Sequence, residues 1–107
     1  MGAPFDESLN STLATGNPVS ATPVSLIAAD SAARFEIHTI DLGNIHTAVA
    51  EVTITDGVTS ITVGLGIGAG RVIKPSGWKT ARNAALTAQL GATGDVHVNV
   101  EYSKATG

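Results

Sequence analysis

Three groups of residues in this chain are of types that do chemistry: a row of glycines, three histidines among scattered carboxylates, and one tryptophan. The glycines stand at every second position of VGLGIGAGRVIKP (63–75), as Gly64, Gly66, Gly68 and Gly70. A phosphate-binding loop needs glycines at a strand-to-helix junction, where the anion meets the free N–H groups of the helix's first turn. A strand-like ITV does precede the row, but RVIKPSGW follows it. Pro75 and Gly77 break a helix there rather than start one, and no Gly-Lys-Ser/Thr follows. The row is not a phosphate loop. On a pleated strand the four glycines share one face, with Val63, Leu65, Ile67 and Ala69 on the other. Glycines weaken a strand, and a bulge, a sharp bend or the close approach of another backbone is the usual reason to keep them. Packing about a symmetry axis or under a neighbouring arm fits that pattern. A flexible hairpin tip over 66–70 is the competing reading.

His38, His46 and His97 are the only imidazoles. A zinc or catalytic centre needs them to converge with a carboxylate such as Asp41 or Glu101. Their spacing imposes no such meeting: His46 follows a turn at Gly43-Asn44, and His97 falls on the polar side of the last strand. They read as surface or hydrogen-bonded histidines. No nucleophile elbow is present, and the acids are too scattered to argue a glycosidase pair. The absence of cysteine removes disulfides and thiolate metal sites. No catalytic, cofactor-binding or metal residue is assigned, no cofactor is expected, and the chain reads as non-enzymatic. Trp78 in KPSGWKT could stack on a sugar ring. With only four aromatics in the chain, it reads better as a plug at one end of a sandwich or as a subunit contact.

The elements that would position these residues follow from composition and period. One domain is expected of 107 residues. Apolar residues make up 43% and aromatic residues 4%, so the core is aliphatic. Charged residues are 14%, against roughly 25% in an average domain. So few charges on a small domain point to a surface covered by other chains. The net charge of −3 is uneven. Residues 1–56 hold seven acids against Arg34 alone, whereas 57–107 hold five bases against Asp95 and Glu101. Four of the six bases, Arg71, Lys74, Lys79 and Arg82, fall within 71–82. The acidic total and the lack of interleaved aromatics apart from Trp78 argue against nucleic acid and for complementary subunit contact.

Residues 1–23, rich in Ser, Thr, Asn, Gly and Pro, read as an extended or disordered N-terminal arm. The start has no basic stretch followed by an apolar core, and no run is long enough for a membrane span, so the expectation is a soluble chain made in a cytoplasm. From residue 24 the apolar period is two. PVSLIAA (23–29), RFEIHTIDL (34–42), HTAVAEVTIT (46–55), SITVGLGIG (60–68) and DVHVNVEY (95–102) read as strands. Asp56-Gly57 between two alternating runs marks a hairpin. In RFEIHTIDL the faces are mixed, with Phe35, Ile37, Thr39 and Asp41 against Arg34, Glu36, His38 and Ile40. WKTARNAALTAQL (78–90) fits either a helix, with Trp78, Ala81, Ala85 and Ala88 on one face, or a strand over 84–90. The strand is preferred because the rest of the chain is β. Together these predict an all-β, single antiparallel β-sandwich or jelly-roll-like domain over 24–107, with the arm before it.

The Ser/Thr/Pro-rich start, IHTIDLGNIHTAVAEVTITDG, VIKPSGW and the closing GDVHVNVEY together resemble small β-sandwich structural proteins of tailed bacteriophages, of the capsid decoration or cement type. The resemblance covers about residues 33–103 and lies in strand pattern and turn placement. It implies a non-enzymatic virion protein on the outer capsid surface, often a homotrimer, bridging major capsid subunits. The alternative is a carbohydrate- or receptor-binding β-sandwich module of a phage tail or fibre, using Trp78.

Overall fold

The computed structural model describes residues 11–105. They form eight strands: β1 (Ser11–Gly16), β2 (Val24–Ile27), β3 (Arg34–Asn44), β4 (Ala50–Thr55), β5 (Ser60–Leu65), β6 (Gly70–Ile73), β7 (Leu86–Leu90) and β8 (Val96–Ala105). One four-stranded sheet has the order β1-β8-β3-β6 and the other β2-β7-β4-β5. Every named pairing is antiparallel. Eight strands shared between two sheets in this order make a jelly roll. Alternation builds its core: Ile40, Leu42, Val98 and Val100 of the first sheet, and Val52, Ile54, Leu86 and Ala88 of the second, are all buried. The hairpin expected at Asp56-Gly57 joins β4 to β5, with Gly57 at φ +93°. Among the described residues no helix is long and apolar enough to cross a membrane.

The mixed faces of β3 come from a bulge. Ile37 opposes Tyr102 and Thr39 opposes Glu101, leaving His38 without a register partner. One inserted residue moves every later side chain to the other face. Phe35 and Ile37 therefore point inward before the bulge, and Ile40, Leu42 and Asn44 after it. Thr39 and Asp41, grouped with Phe35 and Ile37 by simple alternation, are turned outward.

In the ambiguous stretch the strand begins only at Leu86, and no helix forms. Residues 78–80 run beside the start of β3 instead. The Ile37 N–H donates to Trp78 O (2.9 Å) and the Thr80 N–H to Phe35 O (2.8 Å). The Phe35 N–H donates in turn to Thr80 Oγ1 at 3.0 Å, which satisfies a fully buried hydroxyl. These tertiary partners outweigh helix propensity, and Asn83, at φ 58°, breaks the segment before β7.

The glycine row is neither one long strand nor a hairpin tip. Gly64 lies in β5, paired with β4, whereas Gly70 opens β6, paired with β3 in the other sheet. Residues 66–69 are thus the turn that carries the chain between sheets, closed by the Ala69 N–H to Gly66 O bond (3.0 Å) with Gly68 at φ +69°. Gly70 sits close to a neighbouring backbone, for a Cβ there would lie 3.3 Å from Leu42 O.

Within the span 1–23, expected as an extended or disordered arm, Ser11–Gly16 is a strand of the first sheet, paired with β8 of its own chain. Ala14 and Gly16 oppose Val100 and Val98 on the inner side, the alternation a sheet edge needs. Residues 1–10 lie outside the described residues.

Candidate interaction surface

The residues singled out for chemistry do not converge. His38 Nε2 lies 2.7 Å from Ser103 Oγ at the bulge. His97 is exposed on β8, and His46 sits in the loop after β3. Asp41 and Glu101 share the outer face of the first sheet, along a shallow groove with Thr39, Asn99 and Leu13. Among the described residues no three His, Cys, Asp or Glu side chains gather as metal ligands. The basic cluster is divided, with Arg71 in β6 and Lys74, Lys79 and Arg82 in the β6–β7 connection. Trp78 is 8% exposed and belongs to the hydrophobic core. It plugs the sandwich, as the sequence favoured, and offers no open ring face to a sugar.

What the fold does bring together is loops. The connections 17–23, 45–49, 66–69 and 91–95 all lie at one end of the sandwich, fixed there by the strand registers. They bond to one another across the end. The N–H groups of Leu90, Gly94 and Val96 donate to the carbonyls of Ser20, Val19 and Pro18. The Ile45 N–H donates to Asp95 O and the Asn44 N–H to Ala69 O. Asn17 Nδ2 donates to Asp95 Oδ1 (2.7 Å) and Val96 O (2.8 Å). At the centre is buried Asn44, whose Nδ2 donates to Ala48 O (2.9 Å) and Gly66 O (3.0 Å) while Oδ1 accepts the His46 N–H (3.0 Å). One amide thus ties the loop after β3 to the turn that crosses between sheets.

These loops satisfy their polar backbone and leave apolar side chains outside. Val19, Ile45, Val49 and Ile67 are 48%, 56%, 72% and 64% exposed. Asp95 is the only Asp, Glu, Lys or Arg in the four loops, and Asn17 holds it. Beside Val49 and Ala92 a shallow groove is lined by Gly64, Gly66, Gly91 and the exposed Glu51 of β4. Exposed aliphatic residues scattered singly need no explanation, but four on one rigid, almost uncharged end form a surface suited to contact. Sequence reading missed it, since the four side chains come from three separated loops.

The opposite end, made by loops 28–33, 56–59 and 74–85, carries Asp30, Asp56, Lys74, Lys79 and Arg82. Lys104 Nζ meets Asp30 Oδ2 at 2.7 Å. That hydrogen bond, with the Ala32 N–H, lowers the Asp30 carboxyl below its ordinary value and raises Lys104. Buried Asp56 accepts the N–H groups of Val58 (2.8 Å) and Thr59 (2.7 Å) on Oδ1 and of Ala81 (2.8 Å) on Oδ2. Burial pushes its carboxyl up, but the Thr59, Val58 and Ala81 donors outweigh it and hold the group below the usual carboxylate range. The turn residue read from the sequence is therefore also the anchor of the β6–β7 connection.

No family model matches the chain. No curated protein matches it either. Among solved structures it is similar to the Tobacco streak virus coat protein, at 12% identity and a TM-score of 0.41, over 90% of this chain and 88% of that one. It is also similar to the VLP of the giant freshwater prawn Macrobrachium rosenbergii extra small virus (XSV), at 16% identity and a TM-score of 0.41, over 86% of this chain and 78% of that one.

Proposed function

We propose that the chain is a non-enzymatic virion structural protein of the bacteriophage capsid decoration (cement) type, a homotrimer on the outer capsid surface that bridges major capsid subunits. The observation that carries this reading is the rigid end that exposes Val19, Ile45, Val49 and Ile67. A contact surface already held by inter-loop hydrogen bonds loses little conformational entropy on binding. Repeating it by symmetry turns modest contacts into a strong clamp. The low charge and the strand-pattern resemblance support the same reading. The fold class alone does not decide it, because jelly rolls serve capsids, lectins and cupins alike. Burial of Trp78 takes away the residue on which the glycan-binding alternative rested.

The test is co-sedimentation of the purified chain with assembled shells and, separately, with unassembled capsid subunits. Binding to shells alone is expected, and Val49→Asp with Ile67→Asp weakens it roughly tenfold or more, since apolar contact area is replaced by unpaired charge. Removal of residues 1–10, which leaves β1 in place, examines the rest of the expected arm and weakens attachment if that arm contributes. Binding to glycans with none to shells overturns the reading.

A further inference from the structure

Each sheet has two outer strands, and two of the four, β2 and β6, are guarded along their length. β2 is four residues long, irregular between Ser25 and Ile27, and preceded by Pro23. β6 is also four residues, carries Arg71 and runs into Lys74-Pro75. β1 also lacks charge, proline and bulge, but its end at Gly16 packs against Leu26 of β2, whose Cδ2 would lie 2.5 Å from a Cβ there. Among the described residues β5 has none of these protections. Ser60–Leu65 has no charge, no proline and no bulge, and pairs residue for residue with β4 along all six positions. An edge of that kind is a ready template for another strand, and proteins usually blunt it.

The residues of β5 select the strand that would fit. Val63 and Leu65 are buried in the core and Ile61 packs against it half-covered, while Ser60, Thr62 and Gly64 are outside. Residues directly opposite in an antiparallel pair share a face, so a register that slips by one sets apolar against polar. A second β5 set with Thr62 opposite Thr62 places Ile61 against Val63 and Ser60 against Gly64, so both faces match. Thr53 Oγ1 and Thr62 Oγ1 already lie 3.1 Å apart, and this register continues them into a row of four threonines. The strand has no charge to repel its own copy. Its own chain does not require glycine at 64, since nothing lies within 4 Å of a Cβ built there and its φ is not positive.

The geometry points to β5 as a self-pairing edge, joined antiparallel to β5 of a second copy about a two-fold axis at Thr62, so that two four-stranded sheets become one of eight. This contact adjoins the apolar end, whose groove also includes Gly64. If the chain is the trimer proposed above, it would link one trimer to the next.

The experiment weighs the 107-residue chain by light scattering over a dilution series. The wild type is expected as an even number of subunits. Thr62→Glu sets two carboxylates against each other and halves the mass, with a roughly tenfold or larger rise in Kd. Thr62→Lys does the same alone, and an equimolar mixture of the two variants regains the wild-type mass. Circular dichroism and thermal midpoints near wild type show that both exposed substitutions leave the fold intact. An odd wild-type mass, an unchanged Thr62→Glu mass, or a mixture that stays halved overturns the pairing. The mass remaining in Thr62→Glu, three subunits or one, reports separately on the trimer.

Discussion

The two ends of the sandwich handle the same problem, closing strands with loops, in opposite ways. At the charged end, side chains satisfy the backbone: Asp56 takes three N–H groups, Thr80 bonds Phe35, and Arg34 Nε donates to Thr80 O at 2.9 Å. Those polar groups are spent within the chain. At the apolar end the loops satisfy one another through backbone bonds and two asparagines, and their aliphatic side chains are left to solvent. At one end, then, Asp56, Thr80 and Arg34 do structural work, and at the other aliphatic side chains stay exposed. The bases of 71–82, read from the sequence as a subunit contact, lie in β6 and in the β6–β7 connection.

The largest effect that sharpens this contrast is expected at Asp56. Asp56→Ala leaves three N–H groups at a buried site without their acceptor, and a cost of about 3 kcal/mol is expected in urea unfolding. Asn44→Ala is next, at about 2 kcal/mol, since the Ala48 and Gly66 carbonyls lose their donor. Its distinguishing sign is faster amide exchange confined to 45–49 and 66–69. Exchange raised equally at 56–59 would show that the ends are not independent.

How far the ends were legible depends on whether the signal is local. The Asp56-Gly57 turn was visible because alternation stops on both sides of it, and β8 because its valines alternate without interruption. The bulge at His38 left only mixed faces, since an inserted residue is defined by the opposing strand. The crossing at 66–69 was hidden because Gly/apolar alternation runs on through the turn, so nothing local marks the change of sheet. The apolar end was the least legible, because a lone Val19 or Ile67 reads as core until the loops are folded together.

Acid should act on the charged end first. The folded pKa of Asp56 lies below its unfolded value, so its contribution is present above an unfolded carboxylate pKa of about 3.9 and is lost as pH falls through the folded value. Wild-type stability is expected to fall below about pH 4, and Asp56→Ala to flatten that decline. An unchanged decline would assign acid sensitivity to other carboxylates. At the apolar end, Val49→Asp with Ile67→Asp should move stability by no more than about 0.5 kcal/mol at pH 7, because both side chains are exposed. A larger loss would mean that the end is a structural cap and not a spare surface.

The smallest expected effect belongs to the Asp30–Lys104 pair. Its geometry is good at 2.7 Å, yet Lys104 is 58% exposed and Asp30 31%, so solvent and salt screen it. Asp30 is lowered and Lys104 raised by the same contact. Stability from the aspartate is therefore lost as pH falls through its depressed value. Stability from the lysine is present below its unfolded pKa of about 10.4 and lost as pH rises through the raised one. Lys104→Met should change the unfolding midpoint slightly in low salt and not measurably in about 1 M salt, where the Debye length is near 3 Å. A salt-independent loss would mean that the lysine side chain acts by packing and not through its charge. The charged end would then owe its order to the bonds of Asp56, Thr80 and Arg34 and not to the ion pair, and the contrast with the apolar end would rest on those side chains.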